Sequence, residues 1–150
     1  MIWSHDWAWS LPLIVLTTVI HVIVLGFASA KGVEILNHSE LRHEFLFGFC
    51  ILIGTITFIA TLLLAVESAL WAMTYQALGA TTSHRAAMLY SLSAITCYGH
   101  ANVFLAPRWQ MMGALEALNG IILFGLTTAF FYDVIQAFRP LARRGVEGVR

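Results

Sequence analysis

Charged residues are scarce in this chain, and cysteine and proline are rarer still. Asp, Glu, Lys and Arg make up 11% of the 150 residues, whereas about 25% is usual in soluble domains. The 8 basic and 8 acidic residues cancel and form no basic stripe, which argues against a nucleic-acid partner. Cys50 lies in a hydrophobic run and Cys97 in a polar loop, so they give little reason to expect a disulfide.

Apolar residues fill the composition instead. Hydrophobic residues account for 59% of the chain and its mean hydropathy is +0.80, so a lipid bilayer is the expected surrounding medium. About 20 apolar residues cross the hydrocarbon core as a helix, and residues 11–28, 45–78 and 111–138 are long enough to do so. The second segment exceeds the membrane thickness, so it must tilt or protrude. The sequence therefore predicts an all-α membrane protein with three transmembrane helices.

Basic residues are placed unevenly around these segments. Residues 1–10 contain no Lys or Arg, whereas four arginines follow the third segment, namely Arg139, Arg143, Arg144 and Arg150. Because loops rich in Lys and Arg stay on the cytoplasmic side, we expect a cytoplasmic C-terminus. Three crossings then place the N-terminus outside and the polar residues 31–44 inside, as an exposed loop or a surface helix.

The outer segment, residues 79–108, is too long for a simple turn and too apolar for a free loop. Residues on one side of it recur at helical spacing, which predicts a short helix over 83–95. Non-helical backbone at membrane depth must be buried by protein or face a water-filled cavity. We therefore expect this helix to re-enter the membrane and to carry the functional loop at its end. The loop consists of Thr96, Cys97, Tyr98, Gly99 and His100.

Residues 60–138 resemble a known family. The resemblance is carried by Trp71, Ala72, Tyr75, Leu78, Gly79, Ala80, Tyr98, Gly99, Arg108, Trp109, Gly113, Glu116, Ala117, Asn119, Gly120, Phe124 and Gly125. Their order is similar to the pore module of the potassium-channel superfamily, and most similar to small bacterial membrane proteins labelled two-pore-domain potassium-channel-like. The resemblance implies a pore module over 45–138, with a helix and cytoplasmic loop over 1–44 before it and a basic cytoplasmic tail over 139–150. We therefore expect an integral protein of a bacterial inner membrane.

In that family the filter reads Thr-Val-Gly-Tyr-Gly-Asp, and four such loops surround one axis with carbonyl groups that replace the hydration shell of the ion. This chain has one such loop, so the resemblance implies a homotetramer. Aligning Thr96 with the filter threonine leaves the loop one residue short, and aligning Ser91 with the pore-helix serine leaves it two short. A gapless alignment instead puts Cys97 at the first filter glycine. Each alignment predicts weak or altered selectivity for a monovalent cation such as potassium or sodium.

His100 stands where the family has an acid at the outer mouth. Four imidazoles attract cations weakly when neutral and repel them when protonated, and histidine titrates near about pH 6.5, so we expect acid to inhibit conduction. Imidazole and thiolate also bind zinc or copper, which makes Cys97 and His100 a candidate transition-metal site. The alternative is that Cys97 packs behind the loop and His100 faces water. No other cofactor is expected.

Three acidic residues, Glu67, Glu116 and Asp133, fall in the predicted transmembrane segments. Acids inside a membrane are functional candidates by default, and the candidates here are Glu67 and Glu116. Glu116 matches the Glu-Ala position of the family's inner helix. It is expected either to support the filter from behind or to pair with Arg108 or Arg85.

The other candidate, Glu67, is expected to accept hydrogen bonds from the pore helix or from His84. With Ser91 and Glu116 it completes the predicted filter support. His21, in the first segment, is expected to be hydrogen-bonded within the helix bundle.

The third segment carries a candidate pore-lining face. Asn119, Leu123, Thr127 and Phe131 recur at helical spacing, and Phe131 is large enough to form a hydrophobic constriction. The same face suits ordinary contact between helices. Gly120 resembles the hinge glycine of channel inner helices, although a small residue also allows close helix packing.

No nucleophile, base and acid stand in a catalytic arrangement, and neither a phosphate-binding loop nor a His-Glu-x-x-His motif is present, so an enzyme is not expected. The sequence predicts a tetrameric cation channel in a lipid bilayer, with further copies of the chain as its partners. Two alternatives stay open: a non-conducting channel-like scaffold and a metal-binding membrane protein.

Overall fold

Four α-helices and one short turn of 3-10 helix make up the described part of this protein in a computed structural model. The structure describes the backbone of residues 4–38, 45–99 and 102–147, and the surroundings of side chains in 5–35, 47–99 and 102–138. Helix α1 is Ser4–His38, α2 is Phe45–Ala77, α3 is His84–Ile95 and α4 is Gln110–Glu147, and the 3-10 turn Pro107–Trp109 leads into α4. The described residues are all-helical, as predicted.

Three helices are long and apolar enough to cross a membrane. Their candidate spans are His5–Ile35, Phe47–Ala77 and Pro107–Phe138. The predicted number of transmembrane helices is therefore confirmed by length and composition, and the chain has the character of a membrane protein. The third span ends at Phe138, as the predicted segment 111–138 does, whereas the first span is longer at both ends than the predicted 11–28. Helix α4 itself continues beyond its span to Glu147.

The polar start of the 31–44 region is part of α1, which ends at His38. Lys31 and Glu34 face each other one turn apart, with 2.8 Å between Nζ and Oε2. Such a pair stabilises an exposed helix, so α1 continues although its residues become polar here.

Helix α3 confirms the short helix predicted for the outer segment. Ser83 precedes it as N-cap, and the Ser83 hydroxyl accepts a hydrogen bond from the Ala86 N–H at 3.1 Å. This cap satisfies one of the amide groups that the first turn leaves without a helical partner.

The chain divides into two compact units. Unit 1 comprises Met1–His21 and Leu62–Gly125, and unit 2 comprises Val22–Thr61 and Leu126–Arg150. The aromatic core of unit 1 is formed by Trp71, Tyr75, Ala80, Leu105, Trp109 and Met112. A smaller core in unit 2 contains Leu52, Ile56 and Val134, with Phe131 packed against it. Unit 1 contains all of α3 and the residues that follow it, so the predicted loop belongs to this unit.

Candidate functional site

Helix α3 is held against α2 and α4 by a buried carboxylate. Tyr75 of α2 donates its hydroxyl to Glu116 Oε2 at 2.5 Å, and the Ser91 hydroxyl of α3 contacts Glu116 Oε1. The Ser91 hydroxyl also lies within hydrogen-bonding distance, 2.7 Å, of the Ser68 carbonyl oxygen. Glu116 and Ser91 are fully buried. A buried carboxylate with two hydroxyl partners is costly to disturb, so this cluster fixes the position of α3.

Tyr90 adds an aromatic contact to the same cluster. Its ring meets the Tyr75 ring edge to face, with 5.6 Å between the ring centroids. Burial, and then the nearby Glu116 carboxylate, raise the pKa of the Tyr90 phenol above its usual range. Tyr90 therefore stays protonated and keeps a hydroxyl group beside Gly113, where an added Cβ would collide with it.

The structure thus brings together two of the three predicted supporting residues, Ser91 and Glu116. The expected pairing of Glu116 with Arg108 or Arg85 is wrong. Arg108 is exposed; it donates to the Leu78 carbonyl oxygen at 3.3 Å and lies over the Trp109 ring. Glu116 faces the interior of unit 1, where hydroxyl groups reach it and no described arginine does.

Glu67, the third predicted supporting residue, has a different partner. His21 Nδ1 of α1 lies 3.0 Å from Glu67 Oε1 and 3.3 Å from Oε2, and both side chains are completely buried. The expectation that the pore helix or His84 bonds to Glu67 is wrong, because His84 is exposed at the start of α3. His21 is hydrogen-bonded within the bundle, as predicted.

The end of α3 turns its backbone amides back towards the helix. The N–H groups of Thr96, Cys97, Tyr98 and Gly99 donate to carbonyl oxygens of residues 92–94, at 2.9 to 3.3 Å. Cys97 bonds to Ala94 and Tyr98 to Ser93, which is the Schellman pattern of helix termination. This pattern requires positive φ just beyond the helix, and Cys97 has φ 54 where glycine is usual. Gly99 has φ 74.

The same four residues leave their carbonyl groups uncommitted. The carbonyl oxygens of 96–99 accept no hydrogen bond from any residue that the structure describes. All four residues are exposed, and the Tyr98 side chain reaches 83% exposure. The fifth predicted loop residue, His100, lies outside the described residues. Within the part of the chain that the structure describes, four consecutive amides are therefore satisfied while the carbonyl oxygens of the same four residues accept no hydrogen bond.

Helix α4 packs closely against the end of α3 at Gly120. A Cβ on Gly120 would collide with the carbonyl oxygen and carbon of Ile95, the last residue of α3. The Cys97 thiol lies 3.6 Å from the Ala117 carbonyl oxygen on the same stretch of α4. Gly120 thus serves close packing of the two helices, which was one of its two predicted roles.

The predicted pore-lining face of α4 is not a free face. Asn119 is fully buried and its Nδ2 donates to Thr17 Oγ1 of α1 at 2.8 Å, and Leu123 is fully buried as well. Pore lining by Asn119 and Leu123 is therefore wrong, because the chain itself covers both side chains. Thr127 and Phe131 are partly buried, and Phe131 packs on the core of unit 2.

A concave surface lies beside the loop. It has a volume of about 360 Å³, and its lining includes Tyr90, Cys97, Phe104 and Gly113. The described residues contain no group of three or more His, Cys, Asp or Glu side chains placed to hold a metal ion. Cys97 remains a free thiol, and its predicted metal partner His100 is outside the described residues.

Substituting glycine for Cys97 is expected to stabilise the protein by about 1 kcal/mol, because a left-handed conformation strains every residue that has a Cβ. The free energy of unfolding in detergent measures the effect. Cys97→Ala is the matched control: it also removes the thiol but keeps the Cβ, so no such gain is expected. An equal gain in both variants would assign the effect to the thiol and not to φ.

Comparison with protein-family models, with curated proteins and with solved structures finds no match to this chain.

Proposed function

We propose that this protein is a tetrameric cation channel in which residues 96–99 form a short filter. One observation carries the proposal: at the end of α3, four consecutive amides are turned inward, while no described residue donates a hydrogen bond to the four carbonyl oxygens of 96–99. Rings of backbone carbonyl groups are the means by which channel filters replace the hydration shell of a cation. The backbone of the loop therefore presents acceptors and no free amide donor to the described surroundings, which suits a cation better than an anion.

The direction of α3 adds to the attraction for cations. The loop follows the C-terminal end of a 12-residue helix, which carries a partial negative charge of about half an electron. Phosphate-binding sites use the opposite end of a helix. The field of α3 and the loop carbonyl groups therefore act on a cation with the same sign.

A bilayer gives a reason for four chains. Exposed non-helical backbone at membrane depth needs protein or a water-filled cavity around it, and one protomer leaves residues 96–99 exposed. One chain supplies one loop, so four chains around an axis supply the rings of carbonyl groups. We place α3 as a re-entrant pore helix in a bacterial inner membrane, with the N-terminus outside.

The shape of the loop supports weak selectivity. Positive φ at Cys97 and Gly99 favours the gapless alignment, in which these residues take the places of the two filter glycines. The first of them closes the Schellman turn, so little extended backbone remains to build further carbonyl layers. Fewer layers reduce the discrimination between potassium and sodium.

Oligomer number and flux together test the channel. Native mass spectrometry of the purified protein is expected to show four chains, and liposomes loaded with a potassium-sensitive or sodium-sensitive dye are expected to report flux of both ions. A stable tetramer that passes neither ion would support the scaffold alternative and contradict conduction. Stoichiometric zinc or copper in elemental analysis would support the metal-binding alternative.

Acid is expected to reduce the flux, because protonation of four His100 imidazoles places positive charge at the mouth. Flux recorded from pH 5 to 8 should fall as the pH drops through about 6.5. His100→Asp should remove this fall and increase flux at low pH, and His84→Asp, on the exposed start of α3, is the matched control. Identical pH profiles for wild type and His100→Asp would rule out His100 as the sensor.

A further inference from the structure

Helices α1 and α2 form an apolar groove within unit 2. The groove has a volume of about 670 Å³. Its walls include Ile23, Phe27 and Lys31 of α1 and Ile51, Thr55 and Ile59 of α2. The Thr55 hydroxyl donates to the Ile51 carbonyl oxygen at 2.9 Å, so it is satisfied within its own helix. Lys31 is the only charged residue of the lining, and every other part of the wall is apolar or internally satisfied.

The length of the groove matches one leaflet of a bilayer. The lining of α1 runs from Ile23 to Ile35 and that of α2 from Gly48 to Ile59, which at helical rise is about 18 Å and about 16 Å. Half of the hydrocarbon core measures about 15 Å. The groove is therefore as long as the acyl region of a single leaflet.

The position of the groove matches as well. The candidate spans are His5–Ile35 in α1 and Phe47–Ala77 in α2, and the groove occupies only the half of each span nearest the α1–α2 connection. A hydrocarbon core of about 30 Å centred on these spans would reach about residue 30 of α1 and about residue 52 of α2, so the groove would begin near mid-membrane and extend to the headgroup region. Lys31 lies towards the end of the groove that is nearest the α1–α2 connection, where a lysine extends its ammonium group into the headgroup region.

We propose that this groove binds one phospholipid with an anionic headgroup, its acyl chain along the groove and its phosphate at Lys31. The walls come from two helices, and a Cβ on Gly32 would collide with Leu52, so the groove floor is closed by direct helix contact. Large apolar side chains stay exposed along it, among them Ile23 at 64% and Phe27 at 67%. A lipid chain covers such a surface without requiring polar partners.

Charge decides which lipid binds. Lys31 attracts an anionic headgroup, while Glu34, 2.8 Å from the Lys31 ammonium, opposes it. Both side chains are 56% exposed, so the pair is weak and Lys31 can turn to a phosphate. Removal of Glu34 should therefore strengthen the binding that removal of Lys31 weakens. This proposal does not depend on ion conduction.

Native mass spectrometry of the delipidated protein tests the proposed lipid site, with phosphatidylglycerol and phosphatidylcholine of equal chain length as probes. Phosphatidylglycerol is expected to bind once per chain and more tightly than phosphatidylcholine. Lys31→Gln should reduce this preference about fivefold, and Glu34→Gln should increase it. An unchanged preference in Lys31→Gln would overturn the headgroup site.

Ala28→Phe fills the groove from α1 and should remove the bound lipid of either type. Ala30→Phe is the matched control, because Ala30 is on the same helix, is exposed and does not line the groove. Helix content from circular dichroism shows whether Ala28→Phe folds. If it does not, Thr55→Phe, which fills the groove from α2, replaces it in the test. Retention of the lipid in both filled variants, or a change in oligomer number with the lipid retained, would contradict the proposal.

Discussion

Gly120→Ala is expected to separate α4 from the end of α3 and to abolish cation flux. The new Cβ would occupy the position of the Ile95 carbonyl group, and a backbone group cannot move aside as a side chain can. We expect a net loss of about 2–3 kcal/mol in the free energy of unfolding, despite the higher helix propensity of alanine. Because Ile95 directly precedes the loop, a shift there displaces residues 96–99 as well.

Gly125→Ala is the matched control on the same helix. A Cβ at Gly125 meets nothing within 4 Å, so this variant should gain up to about 1 kcal/mol from helix propensity. Denaturant titration in detergent gives both free energies, and liposome flux gives both activities. Equal stability and equal flux for the two variants would show that the approach of α4 to Ile95 is not required.

The second large effect is expected at His21 and Glu67. Removing one partner of a buried, hydrogen-bonded pair leaves the other polar group without compensation, which costs about 3 kcal/mol. Glu67→Ala and His21→Ala should each lower the free energy of unfolding by this amount, since both side chains are completely buried. The measurement is again denaturant titration in detergent.

The double variant His21→Leu with Glu67→Leu separates pairing from packing. Apolar residues of similar size often replace a buried pair at little cost, so the double variant should lie within about 1 kcal/mol of wild type. Lys31→Ala is the exposed control, and loss of its surface pair with Glu34 should cost less than about 1 kcal/mol. Strictly additive losses in the double variant would show that His21 and Glu67 are not coupled.

Hydrophobicity and length predicted the helices but not all of their ends. The apolar segments predict three crossings because about 20 apolar residues are needed to span the core. They do not predict that α1 continues to His38, since that extension is polar and is supported by the pair between Lys31 and Glu34. The boundaries of α3 were predicted well, because the residues of one side recur at helical spacing from residue 83 to residue 95.

The sequence predicted which residues belong to the candidate site better than it predicted which of them contact one another. The resemblance singled out Ser91 and Glu116, and the structure brings them together. It did not identify Thr17 as the partner of Asn119, nor His21 as the partner of Glu67. Spacing shows which residues share one side of a helix, but the rotation of one helix against another follows from packing in three dimensions. The polar residues of α1 were the available signal, since buried polar groups in a membrane seek partners.

One backbone hydrogen bond joins the two ends of the segment that connects α2 to α4. The Ala106 N–H donates to the Ala80 carbonyl oxygen at 2.9 Å, so the chain returns to the point from which it left. This bond therefore holds the end of α2 beside the start of α4, whatever the number of residues between Ala80 and Ala106. A filter can lose a residue, or exchange glycine for cysteine, while the frame around it keeps its dimensions. In the proposed channel, ion preference is thus expected to depend on an interchangeable segment, and grafting loops of other lengths between Ala80 and Ala106 would test this.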